Sequence, residues 1–233
     1  MNRNARWPPP DKLWVLIAAF NEGEMIGRVV TDVRRLYPRV LVVDDCSSDN
    51  TAIEALAAGA IVLRHPINLG QGASLQTGLR YAVANGAEHI VTFDADGQHR
   101  VDDIAVLSAK ERETGADIVL GSRFLGTTEN IPPLRRATLR MAILFTRMTS
   151  GISLSDSHNG LRLLTRHAAE RIRIRQNRMA HASEIIDQIT ILGLSVAEAP
   201  VTIMYTEYSL RKGQRIGNAV NVLADLFVAR LKK

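Results

Sequence analysis

The feature that most constrains this chain is a repeated alternation of short apolar runs with amphipathic helical segments, each run ending directly in polar residues. The first run covers 13–20, and the segment after it places Ile26, Val29, Val30 and Val33 at the i, i+3, i+4, i+7 spacing of one buried helical face. Runs at 40–43, 61–63, 89–93 and 118–120 continue the series. Helices are expected from Thr51, from 70 to 84 and from 101 to 113, and Thr51 and Glu54 have the spacing of a capping box. Short runs separated by helices read as buried strands joined by crossovers. The expected fold is therefore α/β, a Rossmann-like, mostly parallel sheet flanked by helices.

The 233 residues, 46% hydrophobic and 23% charged, suffice for one such core, and disorder as the main theme is excluded. Pro8, Pro9 and Pro10 keep residues 1–12 out of helix and central strand, so that stretch is expected to be a flexible lead. No window reaches the 18 or so uninterrupted apolar residues of a membrane-spanning helix, so the chain is expected to be soluble or peripheral. Cys46 is the single cysteine, which rules out an intramolecular disulfide and points to a reducing compartment. Residues 10–122 carry 10 basic and 16 acidic side chains, residues 123–233 carry 17 basic and 8 acidic. The basic half suits an anionic partner such as a phosphate or a membrane surface, while few aromatics (5%) are available for stacking on nucleic-acid bases.

Ligands of open parallel sheets bind beyond the carboxyl ends of the strands, so the residues closing each run are the candidates for chemistry. They are Asn21-Glu22, Asp44-Asp45, Asp94-Ala95-Asp96 and Gly121-Ser122-Arg123. Five carboxylates directed at one rim repel one another unless donors or a cation compensate them. Asp94 and Asp96, two apart in extended chain, point to the same side and suit one hard divalent ion, Mg²⁺ or Mn²⁺, with Gln98 adding a neutral oxygen. The scattered histidines and the missing thiolates argue against zinc. The Gly70-Gln71-Gly72 turn opening a helix suits either phosphate binding through Gly72 and its neighbours or tight packing.

Six strings occur in order: AAFNEGE at 18–24, VVDDCSSDNT at 42–51, NLGQGASLQTGL at 68–79, DADGQH at 94–99, GSRFLG at 121–126 and DSHNGLR at 156–162. With them the chain resembles the family 2 glycosyltransferases of the GT-A fold, and among these the polyprenyl-phosphate glycosyltransferases, over roughly residues 13–205. The resemblance implies that Ala18, Glu22 and Asp44 hold the base and ribose of a UDP- or GDP-sugar. It implies that Asp94, Asp96 and Gln98 hold the metal and diphosphate, and that Arg123, with Arg135 or Arg136, meets the phosphate of a polyprenyl acceptor. The implied reaction is an inverting displacement at the anomeric carbon, with Asp96 and Arg123 as catalytic residues. Glu184 is the reserve base should the acceptor be a saccharide hydroxyl, and a non-catalytic nucleotide-sugar-binding adaptor is a further alternative.

Ala18-Ala19 stands where the family commonly has a proline. Residues 135–148 place Arg136, Arg140 and Arg147 opposite Leu134, Met141, Phe145 and Met148, the pattern of an interfacial helix. Ile216, Val220, Leu223, Phe227 and Leu231 form a second stripe ahead of Lys232 and Lys233. The expected organisation is a lead at 1–12, a catalytic domain at 13–205, and at 206–233 a basic loop, in which Arg211 or Lys212 reaches phosphate, followed by an amphipathic helix. The expected location is the cytoplasmic face of a membrane, as a peripheral protein, with a small membrane protein or a second copy as further partners.

Overall fold

The computed structural model describes residues 8–9, 11–129, 152–156, 159–176 and 181–212. Within them seven strands form one sheet: β1 (Leu13–Ala19), β2 (Arg39–Asp44), β3 (Ile61–Arg64), β4 (His89–Thr92), β5 (Ile118–Glu129), β6 (Arg162–Thr165) and β7 (Val196–Met204). The helices are α1 (Ile26–Arg34), α2 (Thr51–Ala57), α3 (Gln71–Ala84), α4 (Asp103–Thr114), α5 (Arg166–Arg171), α6 (His181–Leu192) and α7 (Glu207–Lys212). Strand order is β3-β2-β1-β4-β6-β5-β7. The pairs β1–β2, β2–β3, β1–β4 and β5–β7 are parallel, whereas β6 runs antiparallel to both β4 and β5.

Period-two alternation along the strands builds a core on each face of the sheet. Leu13, Val15 and Ile17 of β1 face a cluster that includes Val40 and Val42 of β2, Ile26, Val29, Val30 and Val33 of α1, and Ile104 and Leu107 of α4. Trp14 and Leu16 face the opposite cluster, with Leu41 and Val43 of β2, Leu75 and Leu79 of α3, and Ile185, Ile186 and Ile189 of α6. The four α1 residues singled out by spacing are all buried.

Three local expectations are corrected. Thr51 is the first helical residue of α2 and caps nothing; its hydroxyl accepts from Glu22 N at 2.7 Å and donates to Asp49 Oδ1, so it ties down the loop after β1 instead of forming a capping box. β5 extends to Glu129 with an irregularity between Ser122 and Thr127, because the parallel partner β7 keeps pairing past it. β6 lies where a loop and helices were expected: four residues are too short to show a period, and neighbours on both sides decide their conformation. The proposed interfacial helix at 135–148 and the stripe at 216–231 lie outside the described residues.

Candidate active site

The parallel strands end on one rim, and the reversed strand β6 begins there. Arg162, its first residue, is paired in register with Thr92 at the end of β4 and with Leu120 of β5. The residues after β1 and β2 leave extended backbone abruptly: Asn21 (φ 55°) and Cys46 (φ 63°) both adopt left-handed conformations. Asn21 accepts from Ser48 N at 2.9 Å through its side chain and donates its own N–H to Ser47 Oγ at 2.9 Å, so the two loops are laced together.

Beyond β4, Asp94 and Asp96 experience different fields. Asp94 Oδ2 lies 2.8 Å from Nε2 of the buried His99, whose ring stands edge-on to Phe93 at 5.4 Å. Burial pushes the Asp94 carboxyl up, but the His99 hydrogen bond and the charges of His99, Arg162 and His181 outweigh it and hold it below the usual carboxylate range. The side chain is still 30% exposed. Gly160 abuts it from the other side: a Cβ there would lie 2.2 Å from Asp94 Oδ2. Asp96 has the opposite balance. Burial and the neighbouring Asp94 charge, with Glu22 adding to them, push its carboxyl up to about 6, although His99 and the Gln98 N–H, 3.0 Å from Oδ1, pull the other way. Gln98 is buried, and its carbonyl accepts from Met204 N at 3.0 Å, which joins the acidic turn to β7.

No group of three histidine, cysteine or carboxylate side chains converges on a metal position among the described residues. The acidic pair nevertheless fits a hard divalent ion. One carboxyl is held below the usual range and the other is raised by a charge conflict that a cation removes, and such an ion takes its remaining ligands from substrate oxygens and water.

Glu22 and Asp44 occupy neighbouring strand ends. Glu22 Oε2 accepts from the hydroxyl of Tyr208, on α7, at 2.6 Å, which brings α7 over the end of β1. The Tyr208 hydroxyl is pushed above its ordinary pKa by burial and by the acids around it, Glu22 first. Asp44 is fully buried; Oδ1 accepts from Ser47 N (3.1 Å) and from the Ser47 hydroxyl. Arg64 Nε stands 3.1 Å from its Oδ2, yet that oxygen receives no aligned hydrogen bond, and we read the contact as an ion pair that leaves an acceptor lone pair available. Ala18 is half-buried on β1.

Asp45 and Gly72 are removed from the ligand-facing set. Asp45 accepts from Leu69 N (2.9 Å) and Gly70 N (2.7 Å) and lies 2.8 Å from His65 Nδ1, so the protein's own carboxylate already fills the amide cradle at the start of α3. Gly72 is buried, and a Cβ on it would come 2.0 Å from Gln176 O and 3.0 Å from His181 Cβ. Close packing accounts for this glycine.

Arg123 is also committed. Only 7% exposed, it donates from Nε to Asp156 Oδ2 at 2.6 Å and from Nη1 to the Tyr205 hydroxyl at 2.9 Å. Burial works against its charge, and Asp156 and Tyr205 more than offset that, raising its pKa. Glu198 on β7 fixes Asp156 in turn, accepting from Ser155 N at 2.9 Å and Asp156 N at 3.2 Å. The guanidinium expected to face an acceptor phosphate is thus one link of a buried chain from β7 to β5. Glu184, the reserve base, accepts from Arg175 N (2.9 Å) and Gln176 N (2.8 Å) and so holds a loop. Arg135 and Arg136 lie outside the described residues, as do the side chains of Arg211 and Lys212. His99, Tyr208 and Arg162 join the site without having been singled out as functional. All three are invisible to a search of the residues that directly follow apolar runs.

Residues 14–173 match the model of Glycosyl transferase family 2. The chain is 30% identical to a UDP-N-acetylglucosamine–dolichyl-phosphate N-acetylglucosaminyltransferase of Methanococcus voltae, over 96% of this chain and 98% of that one. It is 28% identical to a polyprenol monophosphomannose synthase of Mycolicibacterium smegmatis, over 93% and 87% of the two chains. Its fold is shared with glucosyl-3-phosphoglycerate synthase from Mycobacterium tuberculosis, solved with Mn²⁺ and UDP-glucose, at a TM-score of 0.71, 19% identity, and 94% and 79% coverage of the two chains. A mostly parallel sheet with paired aspartates closing its central strand, matched by the family model across well over half its length, places this chain among the family 2 glycosyltransferases, with the GT-A fold.

Proposed function

We propose that this glycosyltransferase moves a hexose or N-acetylhexosamine from a UDP- or GDP-sugar to a polyprenyl phosphate, with inversion at the anomeric carbon, on the cytoplasmic face of a membrane. The observation that carries the donor half is the charge conflict at Asp96, whose carboxyl is raised to about 6 beside an ionised Asp94. Mg²⁺ or Mn²⁺ held by Asp94, Asp96 and Gln98 would supply neutralisation of the charge that develops on the departing nucleoside diphosphate. Asp44 Oδ2, lacking an aligned donor, suits an N–H of the base, and Glu22 and the half-buried Ala18 stand at the end of the neighbouring strand β1. The acceptor half is supported by the two relatives whose names specify dolichyl phosphate and polyprenol monophosphate products or acceptors.

A phosphate acceptor is already ionised at neutral pH and needs alignment and desolvation more than a general base. Glu184, the base a saccharide hydroxyl would have called for, is occupied by backbone amides, which disfavours that reading. Arg123 acts in this reading by fixing the strand-end geometry through Asp156 and Tyr205. Attachment in this reading is peripheral, through the basic segments at 135–148 and 206–233; among the described residues no helix is long and apolar enough to cross a membrane. Purified protein given labelled UDP- and GDP-sugars, Mn²⁺ and undecaprenyl phosphate should transfer label into the organic phase. Label confined to the aqueous phase would contradict the acceptor assignment.

A further inference from the structure

Two buried arginines stand at the rim, and they differ in what they hold. Arg123 is committed to Asp156 and Tyr205. Arg162 is 4% exposed, and its guanidinium makes no hydrogen bond and no ion pair among the described residues; Asp94 and Asp156 act on it only as charges. Burial pushes its pKa below the ordinary arginine value, and those two carboxylates only partly oppose the effect.

A largely buried guanidinium without hydrogen-bonding partners in the protein is unfavourable, and the little surface it keeps is where an anion from outside the fold can meet it. The same turn holds a second unmatched donor. Asn159 is 2% exposed, its Oδ1 accepts from Leu161 N at 2.9 Å, and its Nδ2 has no partner among the described residues. The turn itself is pinned in place: Thr92 donates to Gly160 O at 2.6 Å, and Gly160 lies against the Asp94 carboxylate. Two donor groups with no acceptor therefore flank the residue that touches Asp94, on the rim where the substrates of the proposed reaction meet.

We propose that Arg162, assisted by Asn159 three residues earlier in the same turn, is a phosphate-binding arginine of this site. A planar guanidinium pairs with two phosphate oxygens at once, and a buried one awaiting an oxyanion is already oriented for it. The chemistry is that of a phosphate oxyanion, carried by the diphosphate of the sugar donor or by the monophosphate of the prenyl acceptor. The inference rests on the transfer reaction proposed above.

The test uses calorimetric binding of two probes, UDP with Mn²⁺ and geranyl phosphate, to the full chain and to Arg162→Met, with unliganded melting temperatures measured alongside. Methionine keeps the volume and removes the charge. The expected result is a loss of at least about ten-fold in affinity for one probe, with the other within about two-fold and the unliganded melting temperature unchanged or raised. A loss for geranyl phosphate identifies the acceptor phosphate; a loss for UDP measured also without Mn²⁺ identifies the donor diphosphate, whereas a loss seen only with Mn²⁺ reports the charge that Arg162 exerts on Asp94 and overturns the phosphate role. Both affinities within two-fold of wild type would overturn the assignment, whatever the melting temperature. Should the methionine variant not fold, Arg162→Lys replaces it: the proposal then requires weaker binding of one probe, because an ammonium cannot reproduce the fork, and equal binding overturns it. Sugar transfer by the unaltered protein to undecaprenyl phosphate separates the two failures. Transfer together with unchanged probe affinities overturns the role of Arg162 alone, and no transfer overturns the underlying reaction and this proposal with it.

Discussion

Asp94 and Asp96 show how two identical side chains two positions apart acquire different roles from their surroundings. His99, Arg162 and His181 keep Asp94 ionised, while Asp96 has burial and the Asp94 charge against it. Because the folded-state pKa of Asp96, about 6, lies above its unfolded value, this group's contribution to metal-free stability is fully present below the unfolded pKa and is lost as pH rises through 6. Metal competes with that proton. The rise in melting temperature produced by Mn²⁺ in the presence of UDP should therefore be small at pH 5 and grow as the pH is raised to 7.5, a trend that thermal denaturation with UDP, with and without metal, will show. Gly160→Ala tests the packing around the same carboxylate. Its Cβ would sit 2.2 Å from Asp94 Oδ2, so the variant should be destabilised by about 1–3 kcal/mol in urea titration and should lose Mn²⁺ affinity as Asp94 shifts.

Elements explain what was legible in the sequence. The strands and helices up to β5 could be read because each apolar run is short and each helix has a one-sided stripe, so α1 buries the four residues its spacing marks. The acidic pair at the end of β4 was legible for the same reason, since position after a run identifies the rim. β6 was not: its four residues are strand because β4 and β5 flank them, and its reversed direction puts its first residue, not its last, in the site. Spacing places Asp45 at the rim with the other acids but cannot reveal that the amides at the start of α3 turn toward it. Asp45→Ala should leave the Leu69 and Gly70 N–H groups unpaired and lower unfolding stability by about 2–3 kcal/mol, with the donor-binding acids intact. The same variant should bind UDP within a few-fold of wild type once folded, which separates the structural role assigned here from a phosphate-binding one.

For the molecule as a whole, the site is assembled from distant parts of the chain. Tyr208 reaches Glu22, Arg123 bridges Asp156 and Tyr205, and Glu198 fixes the backbone at 155–156. The charge distribution follows this plan: the acidic half supplies the groups assigned to the donor, and the basic half suits phosphate and membrane. Binding to vesicles containing anionic lipid should accordingly weaken as salt is raised, as sedimentation at increasing ionic strength will report. The central claim is that the aspartates closing β4 hold a divalent ion against a nucleoside diphosphate. Electron paramagnetic resonance of Mn²⁺ titrated with UDP, in wild type and Asp96→Asn, addresses it directly. Protein-bound Mn²⁺ that requires UDP in wild type and falls at least about ten-fold in affinity in the variant is the predicted result. Equal Mn²⁺ binding by the two proteins would contradict it.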